Sequence, residues 1–120
     1  QRTCAKTGGL YAAGLCDGEG TLLSLREDVG RHNAVDKLIG AEVRAGRLPL
    51  AERILMVSGR TSFEILQKAA VAQVPIVCAV SAPSSLAVQL ARDLNLTLIG
   101  FLRGETMNVY AGTARLISAD

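Results

Sequence analysis

The chain has a single histidine, His32, within REDVGRHNAVDK (26–37), where two arginines, three acids and a lysine crowd one junction. SGRTSFE (58–64) and SAPSS (81–85) are likewise junctions rich in small polar residues, and FLRGETMN (101–108) leaves a strand with an arginine and a glycine. Together the four segments carry Arg31, Arg60 and Arg103, each beside a glycine, namely Gly30, Gly59 and Gly104. A guanidinium pairs with phosphate through parallel hydrogen bonds, and glycine lets backbone approach a ligand closely. Other chemistries lack their parts. Cys4, Cys16 and Cys78 form no CxxC pair and one histidine cannot complete a zinc site, so no metal is expected. GxGxxG, Walker and GxSxG patterns are missing. The pattern indicates binding of an anionic, phosphate-bearing molecule rather than bond chemistry.

Each residue also has a structural alternative. Asp28 can cap the first long helix, and Asp36, four residues after His32, can support the imidazole. Thr61 and Glu64 have the spacing of a capping box, and Ser81, Ser84 and Ser85 can satisfy backbone groups at a helix start. Lys37 and Lys68 read as solvated, and Cys78, within IVCAV, as an inert core residue.

The elements that must position these junctions follow from periodicity. GLYAAGLCDGEGTLLSLRED (9–28) predicts two strands joined by the turn Asp17 to Gly20. From Arg31 a helical stripe runs through Ala34, Val35, Leu38, Ile39 and Val43, interrupted by Glu42 and closed by Gly46 and Pro49. RILMVSG (53–59), PIVCAVSA (75–82) and LTLIGFLR (96–103) read as strands buried on both faces, and MNVYA (107–111) as a short last strand. Helices fall between them, one opened by Thr61 and reaching Gln73, one begun by Pro83 with Leu86, Ala87, Leu90, Ala91 and Leu94 inward. This order predicts an α/β three-layer sandwich with a mixed sheet between two helical layers. Ligands of such sheets bind beyond the strands' carboxyl ends, where the arginine–glycine junctions lie.

At 120 residues, 49% hydrophobic, the chain makes one domain (1–120) with a real core. No window reaches the ~18 apolar residues of a membrane span. A net charge of +2 and 3% aromatics argue against nucleic-acid binding. An odd count of three cysteines without CxxC spacing fits a reducing compartment, hence a cytoplasmic location.

The blocks TGGLYAAGL, REDVGRHNAVDKLIG, SGRTSFEILQKAA, SAPSSLAVQLA and LIGFLRGETMNVY run in the order of the formate dehydrogenase accessory sulfurtransferase family, FdhD, which the chain resembles along nearly its whole length. The resemblance implies a cytidine-deaminase-like fold. It implies a carrier that takes sulfur from a cysteine desulfurase to the molybdenum cofactor, as bis(molybdopterin guanine dinucleotide), before insertion into formate dehydrogenase. It also implies a homodimer, and guanine nucleotide such as GDP as a mimic of the cofactor. By this resemblance Phe101, Leu102, Arg103, Gly104, Glu105 and Thr106 contact the cofactor, with Arg31, His32, Ser58, Gly59 and Arg60 as second-rank contacts. The sequence departs from the family at Tyr11, where histidine is usual, and lacks the upstream CxxC loop that carries the persulfide. The chain therefore resembles the family's C-terminal, cofactor-binding domain, with no catalytic residue of its own. The competing expectation is a non-enzymatic guanine-nucleotide-binding or cofactor chaperone domain. An interaction domain without a ligand would leave the three arginines unexplained.

Overall fold

A computed structural model describes residues 10–47, 50–103 and 106–112, of which 101–103 and 106 are described by backbone alone. Six strands form one mixed sheet in the order β2-β1-β3-β4-β5-β6. They are β1 (Tyr11–Cys16), β2 (Leu22–Asp28), β3 (Ile54–Val57), β4 (Ile76–Ala79), β5 (Thr97–Arg103) and β6 (Thr106–Ala111). β3, β4 and β5 run parallel, while β1 and β6 lie antiparallel to their neighbours. Helices α1 (Arg31–Arg44), α2 (Phe63–Val71) and α3 (Ser85–Asp93) connect them.

Asp17 shapes the β1–β2 turn, its carboxylate accepting from the N–H groups of Glu19 and Thr21 at 2.9 and 3.0 Å. Ala13 and Leu15, Leu55 and Val57, and Val77 and Ala79 lie in lateral register and share one core with Ala34, Val35 and Leu38 of α1, Ile65, Leu66 and Ala69 of α2, and Ala87 and Ala91 of α3. The α/β class and mixed sheet are as the periodicity predicts. The three described helices all join that single core, so the second helical layer does not come from the described residues.

Several local expectations are corrected. Val43 is exposed and Glu42 buried, because Arg47 clasps the Glu42 carboxylate through Nε at 2.8 Å and Nη2 at 3.0 Å and holds its pKa below the usual range. The helix opened near Thr61 ends at Val71, with Gln73 in the left-handed region (φ 67°). Pro83 lies ahead of α3, which is capped by Ser84; Leu86 and Leu94 are exposed because the short helix buries only its alanine stripe. Ile54, Met56 and Ile76 are half-buried rather than enclosed on both faces. Cys78 is buried, as expected of a core thiol; Cys16 is buried too, with its Sγ 3.5 Å from Met56 Sδ. Cys4 and Pro49 lie outside the described residues.

Candidate functional site

The register places all the predicted junctions on one edge of the sheet. Asp28, at the end of β2, pairs with Tyr11, at the start of β1, and Ala13 pairs with Val57, at the end of β3. Val57 aligns with Ala79 of β4, which aligns with Gly100 of β5, and Arg103 pairs with Thr106. Arg31, His32, Ser58, Gly59 and Arg60 thus follow strand ends on a shared rim, and the backbones of Phe101, Leu102, Arg103 and Thr106 reach the same rim. Gly104 and Glu105 lie outside the described residues, as do the side chains of Phe101, Leu102, Arg103 and Thr106. From β2 to β5 the rim crosses four strand spacings, about 19 Å, so Arg31 and Arg103 cannot grip one phosphate. A ligand reaching both must be elongated.

At one end of the rim Tyr11, Gly30, Arg31, His32 and Asn33 line a cleft of about 380 Å³. The N-terminus of α1 opens here. Its N-cap is Gly30, no side chain caps it, and no acid occupies its first turn. The first helical bond runs from Ala34 N–H to the Gly30 carbonyl at 3.0 Å, leaving the preceding N–H groups without helical acceptors. Such a terminus favours anions. Arg31 adds a fixed positive charge, and its Nε is buried without a hydrogen-bond partner. A donor left in that state costs about 1–3 kcal/mol unless an acceptor arrives. Gly59 sits between the Tyr11 ring and the Arg31 stem: a β-carbon there would lie 3.1 Å from Tyr11 Cδ1 and Cε1 and 3.6 Å from Arg31 Cδ. Glycine is what lets the ring wall this cleft. The sequence marked Tyr11 only as a departure from a family pattern; its place as first residue of a strand that begins on the rim was the available signal.

Asp28 does not cap α1. Its carboxylate accepts from Gly30 N–H at 3.0 Å and Asn33 Nδ2 at 3.4 Å and pairs with Lys37 Nζ at 2.8 Å, which also donates to the Glu27 carbonyl. Lys37 is therefore an anchor of β2 onto α1 rather than a purely solvated charge. The Lys37 bond, then the Gly30 N–H, lower the Asp28 pKa from 3.8 to about 2. A depressed carboxyl stabilises the fold above its unfolded pKa and loses that contribution as pH falls from 3.8 through about 2. In a carboxyl-carbon NMR titration Asp28 should accordingly show its midpoint near 2. A midpoint at the ordinary value would mean the anchor is not formed.

The three junctions are tied together by hydrogen bonds. His32 Nε2 lies 3.1 Å from Ser62 Oγ, so Ser62, not Asp36, supports the imidazole; Asp36 instead pairs with Lys68 of α2 at 2.8 Å. Ser62 is also the cap of α2, accepting from Ile65 N–H at 3.3 Å, where the sequence pointed to Thr61 with Glu64. The Thr61 carbonyl accepts from Ser84 N–H at 3.1 Å, and Ser84 Oγ caps α3 through Ala87 N–H at 3.1 Å. Ser58 Oγ accepts from Ala12 N–H at 2.8 Å, prolonging the β1–β3 pairing to the rim.

Thr61 itself is fully buried and its hydroxyl has no partner. Thr61→Val removes an unpaired hydroxyl at nearly constant shape, so it should stabilise the protein by about 1 kcal/mol. A thermal melt checks this: a lower midpoint in the variant would show that the hydroxyl is bonded after all.

Among the described residues no group of three or more His, Cys, Asp or Glu could hold a metal ion. No helix among them is long and apolar enough to cross a membrane. The arrangement is suited to holding an elongated anion along a strand-end rim.

Comparison with known proteins bears on family and fold. The model of the FdhD/NarQ family matches residues 1–117. A protein of Streptomyces avermitilis named sulfur carrier protein FdhD is 60% identical over 116 residues, 97% of this chain and 41% of that protein. Its namesake in Nocardia farcinica is 64% identical over 112 residues, 93% of this chain and 40% of the relative. A crystal structure described as a formate dehydrogenase accessory protein from Desulfotalea psychrophila superposes with a TM-score of 0.79 at 32% identity, covering 96% of this chain and 48% of the other. The chain thus spans less than half the length of each of these relatives.

Proposed function

Because the chain belongs to the FdhD/NarQ family, we propose that it forms the cofactor-binding part of a sulfur carrier serving formate dehydrogenase. The carrier takes sulfur from a cysteine desulfurase and delivers it to the molybdenum cofactor, bis(molybdopterin guanine dinucleotide), before insertion. In this reading the cofactor is cargo, the protein is cytoplasmic and homodimeric, and the whole carrier acts as a sulfurtransferase. The observation that carries the binding half is the uncapped N-terminus of α1 beside the buried, unpartnered Arg31 Nε.

The residues divide the work along the rim. The α1 N–H groups and Arg31 receive phosphate of one nucleotide arm, with the Tyr11 ring as an apolar wall. His32 and Ser62 hold the α1 and α2 termini in register. Arg60 and the backbones of Phe101, Leu102, Arg103 and Thr106 lie further along, within reach of a second phosphate only for an extended ligand, and the family resemblance adds Gly104 and Glu105 to that contact. Sulfur transfer needs an exposed thiolate that attacks a donor persulfide and later releases the outer sulfur. Cys16 and Cys78 are buried, so that thiolate is assigned to the family's CxxC pair, which this sequence does not contain. The same burial is what favours the second reading, a cofactor chaperone without sulfur chemistry. A CxxC pair in the full-length protein, alkylated with loss of transfer, separates the two.

Binding is tested by calorimetric titration with GDP. Wild-type protein should bind, and Arg103→Ala should weaken binding about tenfold, the loss of one charge-assisted pair of ~1.5 kcal/mol. No heat of binding in the wild type would overturn the nucleotide-site reading.

A further inference from the structure

We infer that the cleft at Tyr11 takes one nucleoside 5′-monophosphate unit, its base stacked on the Tyr11 ring and its α-phosphate held by Arg31 and the α1 N-terminus. This rests on the nucleotide reading above and gives each part of that ligand a place. The chain has two tyrosines and no tryptophan, and the two rings are used differently. Tyr110 packs against the hydrophobic core and lies across Gly100, where a β-carbon would meet Tyr110 Cε2 at 3.0 Å. Tyr11 is only half-buried and does not join that core cluster. It lines the cleft instead, with Gly30, Arg31, His32 and Asn33. Packing of the core therefore gives no reason for an aromatic ring at the start of β1.

The size and the two sides of the cleft define what fits. One water takes about 30 Å³ of liquid volume and a phosphate only a few times more. A cleft of about 380 Å³ thus has room for a phosphate together with a sugar and a base. One side offers donors, the unbonded α1 N–H groups and the buried Arg31 Nε, and the other offers an aromatic ring. Gly59 holds the two sides together. Tyr11 Cδ1 and Cε1 stand 3.1 Å, and Arg31 Cδ 3.6 Å, from the place its β-carbon would occupy. The ring edge and the root of the guanidinium are therefore neighbours, no further apart than a base and its own 5′-phosphate. Inorganic phosphate or pyrophosphate uses only the donor side. A base adds stacking on the ring, which raises affinity about tenfold or more. Any second phosphate lies outside the cleft, on the rim.

The test titrates full-length protein and its Tyr11→Leu and Tyr11→Phe variants with GMP, GDP and inorganic pyrophosphate by calorimetry. Wild-type protein should bind GMP within about threefold of GDP, because the unit in the cleft is complete without the second phosphate. Tyr11→Leu keeps an apolar side chain against Gly59 but removes the aromatic face. GMP affinity should then fall about tenfold, with pyrophosphate affinity held within about twofold. Tyr11→Phe keeps the ring and should return GMP affinity to within about twofold of wild type. Unchanged GMP affinity in Tyr11→Leu overturns the inference. So do equal losses for GMP and pyrophosphate, which would make the ring a mere prop for the Arg31 stem. GMP binding more than about tenfold weaker than GDP binding overturns the α-phosphate placement. The fluorescence of 2-aminopurine riboside 5′-monophosphate, quenched when its base stacks on a ring, reads the contact in wild-type protein without any substitution. Binding of that probe without quenching likewise overturns the platform. Failure of the wild type to bind any of the three nucleotides defeats the nucleotide-site reading itself, and this inference with it.

Discussion

Arg31→Ala is expected to weaken guanine-nucleotide binding ten- to a hundredfold while leaving the melting temperature nearly unchanged. The two halves of that expectation have one cause. Arg31 Nε is buried with no hydrogen-bond partner, so its donor contributes nothing to the fold and bears a desolvation cost. When a phosphate oxygen occupies the cleft, that donor gains a charge-assisted bond in a partly dehydrated setting, worth roughly 1.5–3 kcal/mol. Each 1.4 kcal/mol is about tenfold in affinity. Loss of the stem beside Gly59 and Tyr11 and relief of the orphaned donor oppose one another, so stability should move by less than about 1 kcal/mol. Calorimetric titration with GDP beside a thermal melt reads both quantities. Unchanged affinity would remove Arg31 from the site, and a large fall in melting temperature would make it a structural residue. Arg31→Lys should recover little, because an ammonium cannot reproduce the guanidinium's fixed donor geometry.

The largest effect on stability is expected from Gly112→Ala. Gly112 leaves β6 with φ 74°, a conformation L-residues avoid. A β-carbon there would stand 2.4 Å from Thr97 Oγ1, 2.6 Å from Thr97 Cα and 2.8 Å from the Leu96 carbonyl oxygen. Two of those three atoms are backbone, and Thr97 is fully buried with its hydroxyl donating to the Gly112 carbonyl at 2.9 Å. No side-chain rotation relieves the contact. Left-handed strain of ~1–2 kcal/mol and overpacking of ~1–3 kcal/mol together give a loss of about 2–5 kcal/mol. For a domain of this size that lowers the melting temperature by roughly 10 °C or more. The β5–β6 hairpin carries Arg103 to the rim, so GDP binding should fall in parallel with the folded fraction. A variant as stable as wild type would mean that the β5–β6 exit relaxes freely.

Sequence and structure agree where one local rule suffices. Apolar runs bounded by small residues became β3, β4 and β5, and the 3.6-residue stripe at Ala34, Val35 and Leu38 became the buried face of α1. The misreadings arose where two rules competed for one residue. Ser62 and Thr61 both satisfy the chemistry of a cap, and the turn after Gly59 gave the position to Ser62, leaving Thr61 buried. Glu42 falls on the apolar face of α1, and burial became tolerable only because Arg47, beyond the helix end, folds back to pair with it. The chemical parts of the site, arginine beside glycine at the ends of β2, β3 and β5, are covalent neighbours and were legible from order alone. Their arrangement on one rim depends on β1 running antiparallel between β2 and β3, which brings Tyr11 and Gly59 against Arg31. Strand order, the exchange of Asp36 for Ser62 as partner of His32, and the unpartnered Arg31 Nε are long-range facts. Residue type and spacing constrain what a segment can bury and bond; which of several adequate partners it meets is decided when distant strands and helices close one core.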